Sequence, residues 1–218
     1  MNTKTVFFNE LKPFFKKMGY EFISGLAPKF ILKKDGYVVQ DGFNYLTKEN
    51  KIYGGKLSLS INAIEDIILE IKFPNHDFSS YKNEDSLVFL TLGDRWGVLN
   101  VKDGELNSEE EIFNYTNAVK QYIETDGQKF IERYSYLPNV LAEIDKLELE
   151  GKYWNELLAG GPEFLFRGLI ISKLCSDEKY DIKLSYVESL LISMADDYLP
   201  YFEKLKIRLE NLVPKYNI

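Results

Sequence analysis

The sequence predicts an α+β protein: an N-terminal helix, a mostly antiparallel sheet of about five or six strands, and a C-terminal layer of about five helices. Three observations predict it. Hairpin dipeptides and a period-two run crowd the stretch before residue 107. A serine–glutamate capping box opens at Ser108, and apolar residues at helical spacing follow it to the end of the chain. No strand–helix–strand alternation of adequate length appears, so a doubly wound parallel sheet is not expected.

The elements follow in order. Val6, Phe7, Leu11, Phe14, Phe15 and Met18 share one helical face, with Thr3 or Thr5 as cap and Gly19 as stop. Pro13 lies inside this run. An interior proline loses a hydrogen bond and clashes with the preceding turn at a cost of about 3 kcal/mol, so a kink or break is expected near Lys12. Phe30 to Lys34 and Tyr37 to Tyr45 flank Asp35-Gly36, a dipeptide preferred in type I′ hairpin turns. Gly54-Gly55 reads as a turn ahead of a half-buried strand, in which Leu57, Leu59, Ile61 and Ala63 alternate with Ser58, Ser60 and Asn62. Ile64, Ile67, Ile68 and Ile71 then return to helical spacing. Asn62 with Glu65 resembles a capping box, and a short helix is expected over 63–71, with a strand as the alternative because isoleucine favours strands. Residues 86–92 read as a strand, Gly93-Asp94 as a II′-type turn, Arg95 to Val101 as the returning strand, and Asp103-Gly104 as a further turn.

Beyond that point the chain reads as helical. Ser108 pairs with Glu111 as cap, and Glu109 and Glu110 suit the positive end of the helix dipole. Ile112, Tyr115, Val119, Tyr122 and Ile123 supply the buried face, and Asp126-Gly127 ends or kinks the helix. Pro138 opens a helix carrying Val140, Leu141, Ile144 and Leu147. A short helix near Tyr153 to Leu158 precedes Gly160-Gly161-Pro162, with the proline at a first helical position. Phe164, Leu165, Leu169, Ile170 and Leu174 continue the pattern, and a last helix or helix pair spans 184–212, interrupted near Pro200. No repeat, heptad pattern or flexible linker appears. Residues 1–218 therefore read as a single domain, helix plus sheet over 1–107 and helical over 108–218.

Composition narrows function by exclusion. Of 218 residues, 45% are apolar and 28% charged, which excludes disordered, collagen-like and low-complexity classes. One cysteine, Cys175, cannot form an internal disulfide, so a disulfide-stapled secreted scaffold is excluded. With His76 as the one histidine, structural zinc, catalytic zinc and iron–sulfur clusters lack ligands, while an all-carboxylate Mg²⁺ or Ca²⁺ site stays open. No cofactor is called for. No run is long enough for a membrane span and no signal-peptide pattern opens the chain, so a cytoplasmic location is expected.

The net charge of −7 disfavours nonspecific nucleic-acid binding. It is uneven: residues 1–56 carry 10 basic and 5 acidic groups, the remainder 17 and 29. One reading is charge complementarity within the fold. The other is a local anion-facing patch around Lys29, Lys33 and Lys34, without any nucleic-acid motif to support it.

The catalytic inventory is thin. His76 lies in Pro74-Asn75-His76-Asp77, a turn-forming sequence where a solvated histidine is the plainer reading. Cys175 ends an apolar helix and behaves as a small hydrophobe, with His76 the sole base that could activate it. No nucleophile elbow, phosphate loop or dinucleotide fingerprint occurs. Gly160-Gly161 before a helix could face an anion, but Glu163 in the first turn repels one. Asp196-Asp197 point about 100° apart on a helix and read as a solvated face. The binding candidates are Asp94, Arg95 and Trp96 at a hairpin tip, where an Arg–Trp pair suits an interface hot spot, and the acidic helix start Glu109, Glu110 and Glu111. Equally physical for the first group is Trp96 in the core with Asp94 serving the turn.

Phe7-Phe8-Asn9-Glu10-Leu11-Lys12-Pro13-Phe14-Phe15-Lys16-Lys17-Met18-Gly19-Tyr20-Glu21-Phe22 resembles the opening of bacterial domains of unknown function, in which such a helix leads into an antiparallel sheet. The segment Phe164-Leu165-Phe166-Arg167-Gly168-Leu169-Ile170-Ile171-Ser172-Lys173-Leu174-Cys175 is similar to helices of the same kind of protein. Some of these accompany toxin genes, so the resemblance implies an immunity or accessory role, without assigning any residue. The expectation is a non-enzymatic protein-interaction or immunity-type protein that meets another protein through an acidic or aromatic surface. The alternative is a small-ligand-binding protein or enzyme with a pocket between sheet and helices.

Overall fold

The computed structural model describes residues 3–25, 27–46, 51–73, 89–95, 97, 104–105 and 107–217. Helix α1 (Thr3–Lys17) leads into strands β1 (Glu21–Ile23), β2 (Lys29–Lys34), β3 (Tyr37–Leu46) and β4 (Lys51–Ile61). Helix α2 (Asn62–Ile71) follows, then the two-residue strands β5 (Leu92–Gly93) and β6 (Gly104–Glu105). Helices α3 (Glu109–Glu124), α4 (Asp126–Tyr134), α5 (Leu137–Leu149), α6 (Glu163–Leu174), α7 (Tyr180–Met194) and α8 (Leu199–Glu210) complete the chain. Short 3-10 turns cover Trp154–Glu156 and Asp196–Tyr198. The fold is α+β: an N-terminal helix, an antiparallel sheet in the order β1-β2-β3-β4-β5 with β6 also on β4, and helices through the C-terminal half.

The described residues form two compact units, each assembled from two stretches of chain. One comprises residues 1–60 and 93–132, the other 61–92 and 133–218. The first is the sheet unit. Its core is aromatic: Phe15 stacks on Phe30 with centroids 3.9 Å apart, and Phe7 meets Phe43 edge-on at 5.3 Å. Charge is balanced there, with 12 basic and 12 acidic groups among the described residues, so the basic start of the chain shares its unit with the acidic stretch after residue 93. Lys33 and Lys34 are exposed next to the β2–β3 turn and alternate faces of the strand, while Lys29 pairs with Gly42 at the far end of β2.

The second unit is helical and centres on α6, of which every residue but Lys173 is buried. A helix buried all round must satisfy its polar residues internally. Arg167 does so: its Nε and Nη2 donate to the two Glu65 oxygens of α2 at 2.8 and 2.7 Å, and Nη1 donates to the Ala159 carbonyl at 3.0 Å. Thr91 Oγ1 donates to Glu65 at 2.7 Å and accepts from the Ile61 amide at 2.9 Å. Phe166 of α6 meets the Phe73 and Phe202 rings edge-on, at 4.8 and 6.2 Å. The described residues of this unit hold 12 basic and 17 acidic groups, so the acidic excess among the described residues falls within it.

Several local expectations are corrected. Helix α1 runs through Pro13 without a break. Pro13 and Asn9, whose carbonyl loses its usual donor, both lie on the exposed face, where water can serve that carbonyl. The Asp35-Gly36 turn is not type I′, because only Gly36 has positive φ, at 81°. Gly54-Gly55 is not a turn but the middle of β4. A side chain at Gly54 would strike the Gly42 carbonyl oxygen, and one at Gly55 would lie 2.8 Å from Val119 Cγ2, so glycine allows these backbones to close on one another. The helix expected over 63–71 is present as α2 and the strand alternative falls, yet Asn62 makes no cap: Ile61 is the N-cap residue without a side-chain bond, and Glu65 turns inward to Arg167. Gly93 belongs to a strand instead of a turn, Phe89 and Leu90 lie outside any strand, and Gly104 is paired with Ile52. Pro162 is an N-cap instead of a first helical residue, and α7 begins at Tyr180. Residues 86–88, 98–101 and 103, on which the rest of that β reading falls, lie outside the described residues.

Candidate binding cleft

The sequence-derived candidates are placed as follows. Asp94 is buried and internally engaged: its Oδ2 accepts from the Tyr122 hydroxyl at 2.7 Å and its Oδ1 from the Gly97 amide at 2.7 Å. Tyr122 in turn accepts from the Leu57 amide at 3.1 Å, all within the sheet unit. Arg95 is exposed, and Trp96 lies outside the described residues, as does His76. Glu111 completes the cap of α3. Its Oε2 accepts from the Asn107 and Ser108 amides at 2.6 and 3.0 Å, and Ser108 Oγ accepts from the Glu111 amide at 3.1 Å. Glu109 and Glu110 stand exposed in the first turn. Cys175 is buried, and that burial, with Asp177 nearby, pushes its thiol up to about 12, the opposite of an activated nucleophile. Gly160, at φ 96°, lies close to Arg167 and Glu163 at the start of α6. Asp196 and Asp197 are solvated.

A site the sequence does not announce lies in the acidic unit. Lys183 on α7 is buried to 1% of its side-chain surface, which a lysine tolerates only with close anionic partners. Asp145 of α5 supplies one at 2.6 Å, and Asp177, in the turn after α6, another at 2.8 Å. Glu148, one helical turn after Asp145, stands at 3.7 Å. Asp177 is itself fixed by the Ser172 hydroxyl at 2.7 Å and the Lys179 amide at 2.9 Å. Burial alone would raise the Asp177 carboxyl, but Lys183, the Lys179 amide and Ser172 outweigh it and hold it below the usual carboxylate range. Lys183 is likewise lowered by burial but more than restored by hydrogen bonds to Asp145 and Asp177, so it stays charged.

Glu148 and Lys183 face a cleft of about 440 Å³ also lined by Lys152, Tyr153, Ile182, Tyr186 and Leu190. The end of α5 shapes it. The Lys152 amide donates to the Leu147 carbonyl at 2.9 Å and the Gly151 amide to Glu148 at 3.0 Å, with Gly151 at φ 68°. This is a Schellman closure, and the residues that follow it, Lys152 and Tyr153, line the cleft. Trp154 is fully buried beside it, donates its indole N–H to Glu148 Oε1 at 3.1 Å, and meets the Tyr186 ring at 5.7 Å. Burial raises the Glu148 carboxyl, with Asp145 adding to the effect, and Lys183 and Trp154 do not fully offset it. Among the described residues no group of three or more His, Cys, Asp or Glu is placed to hold a metal ion. No described helix is long and apolar enough to cross a membrane.

No protein-family model, curated protein or solved structure matches this chain. The chemistry of the cleft is therefore read from its own residues. They offer one carboxylate, two phenol rings, aliphatic walls and two ammonium groups, of which Lys183 is paired with Asp145 and Asp177 and Lys152 with Glu150, so a cation with an apolar stem has Glu148 and the rings to meet. The signal that could have found it is the pairing of Asp145 with Glu148 at a three-residue step and Lys179 with Lys183 at a four-residue step. Nothing in sequence shows that these two pairs, 34 and 38 residues apart, face each other.

Proposed function

We propose that this chain is a non-enzymatic interaction protein, of immunity or accessory type, whose acidic unit receives a basic protein partner. The observation that carries the reading is the partition of charge among the described residues: one unit is balanced at 12 basic and 12 acidic groups, and the other holds 12 against 17. Clustered charge of one sign steers a partner of the opposite sign and sets partner choice. The resemblance to bacterial domains of unknown function, some of which accompany toxin genes, agrees with it. Affinity capture from native cells, followed by mass spectrometry, tests it. A stoichiometric basic partner released by raised salt supports the reading. Repeated capture without such a partner, under conditions that retain a control complex, opposes it.

A second reading is a small-ligand-binding protein or enzyme. The cleft favours it, because 440 Å³ falls in the roughly 300–1,000 Å³ range of ligand sites. A thermal-shift screen against small cationic and neutral metabolites separates the two, since a ligand that raises the melting temperature without any protein partner supports this second reading.

A further inference from the structure

The charges beside the cleft do not balance. Asp145, Asp177 and Glu148 surround the Lys183 ammonium, and Lys179 approaches Asp145 at 3.3 Å, so three carboxylates meet two ammonium groups. The least compensated carboxylate is Glu148. It has one close donor, the Trp154 indole at 3.1 Å, and its ammonium neighbour stands at 3.7 Å, against 2.6 Å and 2.8 Å for the other two. A carboxylate accepts about four hydrogen bonds, so Glu148 retains acceptor capacity. It is also the one of the three that lines the cleft. The remaining rim cation, Lys152, is paired with Glu150 at 2.7 Å.

The walls complement that charge. Tyr153 and Tyr186 line the cleft, and the Tyr186 phenol is raised first by burial and then by Tyr153 and Glu148, so the three groups share one local field. Neutral tyrosine rings attract a cation over their faces. Ile182, 71% exposed, continues the lining outward as an apolar shelf.

We propose that the cleft bounded by Glu148, Tyr153 and Tyr186 receives one arginine or lysine side chain of a basic protein partner, its head paired with Glu148 and its stem laid against the tyrosine rings. This rests on the partner reading above and names the chemistry of its contact. Charge complementarity selects a protein as the source: the cleft opens on the unit whose described residues hold 17 acidic against 12 basic groups, a field matched to an extended basic surface.

The test uses the full chain and N-acetyl-arginine amide as probe, followed through the indole N–H resonance of Trp154. The expected result is a saturable shift at millimolar probe, no shift with the uncharged N-acetyl-citrulline amide, and about tenfold weaker binding to Glu148→Gln. No saturable shift, an equal response to the citrulline probe, or undiminished binding by Glu148→Gln overturns the proposal. Should Glu148→Gln fail to fold, Tyr153→Ala decides instead. Tyr153 is 47% exposed, and undiminished binding there also overturns the proposal. Capture of a basic partner that holds Glu148→Gln as tightly as the native chain overturns the cleft assignment and leaves the partner reading standing. A positive titration with no partner captured from cells overturns the partner reading and, with it, the protein source of the cation.

Discussion

At the scale of single residues, two buried carboxylates show opposite solutions. Asp41 on β3 is fully buried, and among the described residues neither of its oxygens has a hydrogen-bond partner; Tyr20 OH is likewise unpartnered. Burial raises the Asp41 carboxyl well above its ordinary 3.8, with the nearby Gly55 amide a partial offset. A carboxyl raised in the fold keeps a proton that the unfolded chain has released, so stability falls as pH rises from about 3.8 through the raised folded value. Asp41→Asn should therefore stabilise the protein by about 1–3 kcal/mol near pH 7, with the gain shrinking toward pH 4, as urea midpoints at the two pH values would show. Glu65 is the converse, saturated by Arg167 and Thr91. Arg167→Met should cost about 3–5 kcal/mol by stranding that carboxylate, and adding Glu65→Leu should recover most of the loss in the same denaturation assay. Neither outcome was legible in sequence. Asp41 sits in a run that also reads as surface strand, and the partner of Glu65 lies 102 residues away.

At the scale of elements, local rules succeed where the decisive contacts are local. The α3 cap is made by Ser108 and Glu111, three residues apart, and its buried face matches the spacing of Ile112, Tyr115, Val119, Tyr122 and Ile123. Ser108→Ala should cost about 1 kcal/mol, seen as a lower melting temperature, because the Glu111 amide loses its acceptor. Local rules fail where a distant group decides. Gly54-Gly55 carries turn residues but lies inside β4, because the backbone of Gly42 and the side chain of Val119 leave room for nothing larger. Asn62 and Glu65 have cap spacing, yet Glu65 gains more from a bidentate guanidinium than from an exposed amide. In α1, exposure makes Pro13 tolerable, and exposure is itself a tertiary property.

At the scale of the whole molecule, charge is the informative quantity. An interaction that uses the acidic unit should associate more slowly as ionic strength rises from about 0.05 to about 0.5 M, because screening shortens the reach of that field. Stopped-flow or surface-binding kinetics with the captured partner would show it, and a salt-independent association rate would count against electrostatic steering. The sequence by itself determined the α+β class, the helical character after residue 107 and the sign of the net charge, because periodicity, capping and composition are properties of neighbouring residues or of sums. Only the tertiary structure decided how the charge divides. The chain passes between the two units at 60/61, 92/93 and 132/133, inside β4, β5 and α4, so no linker marks the crossings. The cleft belongs to the same class of fact. Its Glu148 comes from α5 and its Lys183 from α7, and only packing brings that buried lysine to Glu148, Asp145 and Asp177. Pairing across tens of residues depends on which faces meet, and a linear pattern of residues does not encode that choice locally.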